Sequence, residues 1–259
     1  MPEIPDNLFM NYLLRRLSVI ALLLVSSSPL LQAQMPGGSA TPMNAAMLKM
    51  FGKNTNFTAK ADVRMLDNAQ KETMSLGFAM ALLDGKMRAE MDMAQIKNVM
   101  MTPQMIAQMK QMGADRTIYV VRPDLKANYV IYPSLKAYAQ MPMSDADKQA
   151  LGKDPKIQKT PIGKETIDGH PCVKNKVVVT DEKGQAQEAT VWNATDMKDF
   201  AIQMQIKETN SNVIMKFKDV QLAKPNAKEF EPPAGYTKYQ SIEEIQQVMM
   251  QKMLGTPAK

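Results

Sequence analysis

Between Asn56 and Leu222, apolar and polar residues alternate with a period of two in segment after segment. In "NFTAKADVRML", Phe57, Ala59, Ala61, Val63 and Met65 share one side, with Thr58, Lys60, Asp62 and Arg64 on the other. "ETMSLGFAMALL" continues with Met74, Leu76, Phe78, Met80 and Leu82 on its apolar side. After Asp84-Gly85, "KMRAEMDM" sets Met87, Ala89, Met91 and Met93 likewise. Successive strand side chains point to opposite faces, so this pattern predicts three long antiparallel strands, each with one buried face. Asp-Gly between two such runs predicts a two-residue hairpin turn with positive φ at both central residues.

"TPQMIAQMKQMG" changes the period. Thr102 as cap, Pro103 at the first helical position and Gly113 as the stop predict a helix with Met105, Ile106, Met109 and Met112 along one stripe. Strands resume in "RTIYVV" and "ANYVIYP", and "SDADKQALG" predicts a short polar helix capped by Ser144. The second half reads as hairpins: "IQKTPIGKETI", Asp168-Gly169, "HPCVKNKVVVT", "QEATVWNAT", "FAIQMQIKE" and "VIMKFKDVQL". Ile202 and Met204, then Met215 and Phe217, take the apolar side of the last two. "AKPNAKEFEPPAGYTKY" has the proline content of a loop laid across a surface. Short amphipathic helices fit "MNAAMLKMF" before the strands and "SIEEIQQVMMQKML" after them, the latter with Ile242, Ile245, Val248, Met249 and Leu254. About ten strands and three or four helices, with no dividing linker, predict an α+β fold. It is a large curved antiparallel sheet, a half-barrel, with helices covering the concave face.

The N-terminus adds a compartment. Arg15 and Arg16 precede an apolar run from Leu17 to Val25, and Leu31-Gln32-Ala33 is an acceptable cleavage triplet. This predicts a cleavable secretory signal over residues 1–33, with Met10 a second candidate start and the mature chain soluble in the periplasm. The expected organisation is signal peptide 1–33, linker 34–42, half-barrel domain 43–240 and C-terminal amphipathic helix and tail 241–259. No later stretch is long and apolar enough to span a membrane. The net charge of +6 survives cleavage, because Arg15 and Arg16 offset Glu3 and Asp6. The lysines are spread along the chain, which argues against a nucleic-acid partner and leaves attraction to anionic membrane surfaces open.

His170 and Cys172 are the only histidine and cysteine of the chain. One cysteine makes no intramolecular disulfide, and one histidine removes most nucleophilic and zinc schemes. Two residues apart on a strand they share a face, but no third group stands nearby in sequence to orient a base, so a buried structural cysteine beside a turn histidine is the favoured reading. The carboxylates form no convergent pair. No catalytic residue, cofactor or metal is assigned, and an enzyme is not expected.

Methionine is the outlier: 25 in the chain, against 6% for all aromatics together. Met91-x-Met93, Met141-Pro-Met143, Met100-Met101 and Met109 with Met112 offer thioethers to a soft ion such as Cu(I). The alternative is a flexible apolar lining, since several of these positions continue buried rows.

The order of elements, with "DGKMRAEMD", "GKETIDGHPCVKNKV" and "VIMKFKDVQLAKPNAKEFEPPAGYTKY", resembles the LolA/LolB-like fold over residues 43–240. The likeness is to the exported LolA-like families of unknown function. The resemblance implies a half-barrel that holds acyl chains under helices, with a lipid or lipidated protein as ligand and an inner- or outer-membrane partner. The candidate lining is Phe57, Met65, Met74, Leu76, Phe78, Met80, Met87, Met91, Met105, Met109, Ile202, Met204, Met215 and Phe217. A periplasmic copper-binding module and an envelope scaffold without a small ligand are the alternative readings.

Overall fold

The alternation is realised as long strands. The computed structural model describes residues 50–98, 102–145, 148, 156–180, 186–207 and 211–253. The expected signal peptide, the linker, most of the helix before the first strand, Met100, Met101, Leu254 and most of the polar helix after Ser144 lie outside the described residues.

The strands are β1 (Asn56–Leu66), β2 (Glu72–Leu83), β3 (Lys86–Asp92), β4 (Lys97–Asn98), β5 (Arg116–Arg122), β6 (Ala127–Tyr132) and β7 (Ala137–Pro142). They continue as β8 (Lys156–Ile167), β9 (His170–Thr180), β10 (Ala186–Ala194), β11 (Phe200–Lys207), β12 (Asn212–Gln221) and β13 (Thr237–Tyr239). Two helices are α1 (Pro103–Met112) and α2 (Ile242–Met253). All the strands lie in one sheet, in the order β13-β7-β6-β5-β3-β2-β1-β12-β11-β10-β9-β8, with β4 on β2. Its two ends do not pair with each other, so the sheet is an open one.

The α+β class holds, with two differences of detail. Among the described residues there are thirteen strands, the three additional ones being β4, β7 and β13. The sheet is mixed, because β13 joins β7 in parallel at one edge. That pairing follows from the Pro-rich return. The chain after β12 crosses the opposite side of the sheet from the β1–β3 apolar rows, buries Phe230 in a second apolar cluster with Ala81, Leu83, Val120 and Ile131, and then comes alongside β7. "AKPNAKEFEPPAGYTKY" is therefore a loop over a surface, anchored by one aromatic side chain.

Local chemistry sets the turns. Asp84 and Gly85 have φ of 47° and 86°, and Asp168 and Gly169 have 49° and 85°, the positive values an Asp-Gly hairpin turn requires. The Thr102 side chain accepts from the amide of Met105, Pro103 opens α1, and Gly113 (φ 78°) ends it. A Cβ at Gly113 would stand 2.7 Å from Leu135 Cδ2, so glycine lets the end of α1 close on the β6–β7 turn. α2 packs on β7 and β13, and α1 packs on α2. Among the described residues, no helix is long and apolar enough to cross a membrane.

Candidate functional site: a graded apolar face

Strand register turns the apolar rows into rungs that run across the sheet. Ile206, Val213, Met65 and Met74 are successive partners on β11, β12, β1 and β2. The next rung is Met204, Met215, Val63 and Leu76, followed by Phe217, Ala61, Phe78 and Met91. Beyond these, Ala59 meets Met80 and Ala89, and Phe57 meets Leu82 and Met87. Cross-strand partners of this kind approach to about 5 Å between Cβ atoms, so each rung is a continuous apolar bar.

Burial varies within the rungs as well as between them, the half-exposed positions falling on β1, β2 and β3. Met65, Met74 and Met91 are partly exposed. Leu76, Phe78 and Met215 are buried, Met80, Met87, Ile202 and Met204 are only 1–2% exposed, and Phe57 and Phe217 are at 0%. At that closed end Phe51, Phe57, Phe200 and Phe217 form one aromatic knot with ring centroids 4.9 to 5.8 Å apart. Tilted and edge-on packing is the preferred aromatic geometry, so this end is filled core.

Twelve of the expected lining residues, all on strands, thus fall in one apolar cluster, three of them at its half-exposed rim. The other two, Met105 and Met109, sit on α1 outside that cluster, the first half-buried and the second buried. Two important residues were absent from the expected lining. Phe200 continues the β11 row two residues before Ile202 and was detectable by period. Phe51 lies in a turn and had no periodic signal.

The other candidates take definite places. Cys172, 3% exposed, donates from Sγ to its neighbour's carbonyl, His170 O, at 3.3 Å, and burial pushes its thiol up. The His170 ring turns elsewhere, with Nδ1 2.8 Å from Asp196 Oδ2. The pair shares no ligand-facing geometry. Met91 belongs to the apolar cluster, while Met93 and Met143 are buried. Among the described residues, no group of three or more His, Cys, Asp or Glu side chains is placed to hold a metal ion. Trp192, also buried, donates from Nε1 to Glu165 Oε2 at 2.7 Å, and Lys174 Nζ stands 4.9 Å over its ring.

Solved structures to which the chain is similar include a LolA superfamily protein from Nitrosomonas europaea, at 9% identity over 73% of this chain and 98% of that one, with a TM-score of 0.34. Lipoprotein LppX of Mycobacterium tuberculosis is 12% identical over 68% and 93%, with a TM-score of 0.37. LprF of Mycobacterium bovis is 18% identical over 69% and 92%, with a TM-score of 0.35. No curated protein matches the chain. Residues 63–204 match the family described as a domain of unknown function, DUF4412, and the chain belongs to that family.

Proposed function

We propose that this chain is an exported, non-enzymatic binder of an amphiphile, which lays its acyl part on the inner face of the sheet from the Met65–Met74–Met91 end. The observation that supports this reading is that Met65, Met74 and Met91, near the same end of the adjacent strands β1, β2 and β3, are half-exposed and pack against the buried apolar cluster. Methionine suits such an end, because an unbranched, polarisable side chain moves aside at little cost and packs against irregular apolar shapes. Binding is driven by apolar area leaving water, at about 25 cal/mol per Å2. The periplasm is the compartment, with a lipid or lipidated protein as cargo and a membrane as its source and destination.

The test uses protein purified from the periplasm without detergent. Native mass spectrometry before and after organic extraction is expected to show an amphiphile mass that extraction removes. The extracted protein then binds a fluorescent fatty acid, and Met74→Lys, which puts a charge at the open end, weakens it tenfold or more. A bare polypeptide mass together with no displaceable binding of the fluorescent fatty acid overturns the reading.

A further inference from the structure

We infer that the cleft between the turn before β1 and the β10–β11 turn binds a small zwitterion, one with an acidic oxyanion and a primary ammonium a few ångströms apart, as in phosphoethanolamine. The site is separate from the apolar face and does not rest on the amphiphile reading. The cleft has a volume of about 430 Å3 and is lined by Lys53 and Asn54 from the first turn and by Lys198 and Asp199 from the second. Lys53, Lys198 and Asp199 are exposed, and their charged ends make no ion pair with each other or with any other described residue. The nearby Asp84, by contrast, is already held by Asn56 Nδ2 at 2.8 Å and Lys224 Nζ at 3.0 Å. Two ammoniums and a carboxylate thus line one cleft without neutralising one another.

The walls are fixed in place by buried amides. Asn54 donates from Nδ2 to Phe51 O at 3.0 Å and to Lys198 O at 3.1 Å, tying together segments 144 residues apart. Asn193 Nδ2 holds Asp199 O at 2.8 Å, and the buried rings of Phe51, Phe57 and Phe200 back both turns. Lys198 and Asp199 keep positive φ, 53° and 56°, a conformation that persists only where the surroundings over-determine it. Both Nδ2 hydrogens of Asn54 go to carbonyls, so its Oδ1 is left as an acceptor. The ligand chemistry follows from these groups. Lys53 and Lys198 suit an oxyanion, while Asp199 and Asn54 suit the N–H donors of an ammonium. A bare anion would be set against Asp199 and a bare cation against two lysines, so a molecule carrying both signs is selected. Phosphoethanolamine fits in net charge too, because its phosphate carries about −1.5 to −2 at pH 7 beside one ammonium, opposite to the single positive excess of the three side chains.

The experiment titrates phosphoethanolamine, inorganic phosphate, ethanolamine and, at matched ionic strength, sodium chloride into the isotope-labelled protein. Backbone amide shifts are followed at residues 53–56 and 198–199. Phosphoethanolamine is expected to saturate these shifts and to bind about tenfold tighter than inorganic phosphate. Ethanolamine and chloride are expected to give no saturable shift. Asp199→Asn should erase the preference for phosphoethanolamine while leaving phosphate binding in place. Lys53→Gln with Lys198→Asn should weaken both ligands about tenfold. Asparagine tolerates positive φ, so the turn keeps its shape in these variants, and thermal melts check that each is folded. Sedimentation with phosphatidylethanolamine vesicles, against phosphatidylcholine vesicles whose quaternary ammonium has no N–H, separates the two sources of this chemistry. Retention on the first alone, lost in the double lysine variant, assigns the site to a lipid head; no retention assigns it to a soluble zwitterion. Shifts matched by chloride, phosphoethanolamine no tighter than phosphate, or a preference that survives in folded Asp199→Asn overturns the site.

Discussion

The guanidinium of Arg122 donates from Nη1 to the carbonyl of Phe230, 3.2 Å away and 108 residues later in the chain. Its Nε and Nη2 are held by Asp124, at 2.9 and 2.8 Å, in a two-pronged ion pair. A hairpin residue thereby fixes the Pro-rich loop that carries the chain back to β13. Arg122→Lys keeps the charge but loses the fork, so a loss of about 1–2 kcal/mol is expected in urea unfolding. The hydrogen bonds from Arg122 hold the Asp124 carboxyl at about 2, below its unfolded value of about 3.9. A depressed carboxylate stabilises the fold above its unfolded pKa and loses that contribution as pH falls through the folded one. The gap between wild type and Asp124→Asn is therefore expected to be constant above about pH 4 and to close between pH 4 and 2, read from urea midpoints. A gap that persists at pH 2 rules this ion pair out as its source.

Asn175 and Asn193 form the second buried polar device. Asn175 Nδ2 donates to Asn193 Oδ1 at 3.0 Å and to Val173 O at 2.9 Å, and Asn193 Nδ2 donates to Asp199 O at 2.8 Å. Asp199 and the preceding Lys198 both have positive φ, 56° and 53°, so the network pins a strained turn beside Phe200. Asn193→Ala leaves buried partners unmet and is expected to cost about 2–3 kcal/mol. In a double-mutant cycle with Asn175→Ala the two losses fall short of adding, by at least about 0.5 kcal/mol. Emission of Trp192, the only tryptophan and a buried one, supplies the unfolding signal. Strict additivity sinks the coupling.

The rows of β1, β2 and β3 were legible because period two is a direct consequence of strand geometry, and Asp-Gly marked both tight turns. β7 was missed although a signal existed: "YPSLKA" repeats "RPDLKA" ten residues on. Both make a short 3-10 turn followed by a lysine at φ 49°, so the first hairpin foretells the second. β13 had no such signal, since three residues in parallel pairing depend on where a long loop lands. The candidate face was readable as a face, but not in depth. Alternation says which way Met65 and Phe57 point and is blind to which of them is covered. That depends on Phe51 and Phe200 meeting β1 and β12 from distant parts of the chain.

Cys172 is expected to be inert in the folded protein. Its thiol is buried, raised by that burial and spent on a backbone carbonyl, whereas reactive cysteines sit exposed in electropositive surroundings. Titration with an aromatic disulfide reagent should label it only as urea unfolds the chain, on the same midpoint as Trp192 emission. His170→Ala should leave that labelling unchanged, because the thiol's acceptor is the main chain and not the ring. Fast labelling at neutral pH that His170→Ala abolishes would restore the catalytic-pair reading.

Methionine oxidation separates the two uses proposed for these thioethers. Met250 is half exposed on α2, Met65, Met74 and Met91 are partly exposed on the sheet, and Met80, Met87 and Met204 are nearly sealed. Graded peroxide, followed by peptide mass spectrometry, is expected to modify Met250 first, the sheet trio next and the sealed three only on unfolding. A sulfoxide makes an apolar side chain polar, so fatty-acid affinity should fall with the trio and not with Met250. Met65→Leu, Met74→Leu and Met91→Leu together preserve apolar area while removing every sulfur at the open end. The triple variant is therefore expected to bind a medium-chain fatty acid within about threefold of wild type and to keep that affinity under peroxide, a difference of under about 1 kcal/mol for volume-conserving swaps. The Cu(I) reading instead involves Met91 with Met93, and predicts copper retained through dialysis by wild type and lost in Met91→Leu with Met93→Leu, because leucine offers the ion no donor. Loss of fatty-acid binding in a folded triple variant would mean that sulfur itself, and not a yielding apolar wall, is what these positions contribute.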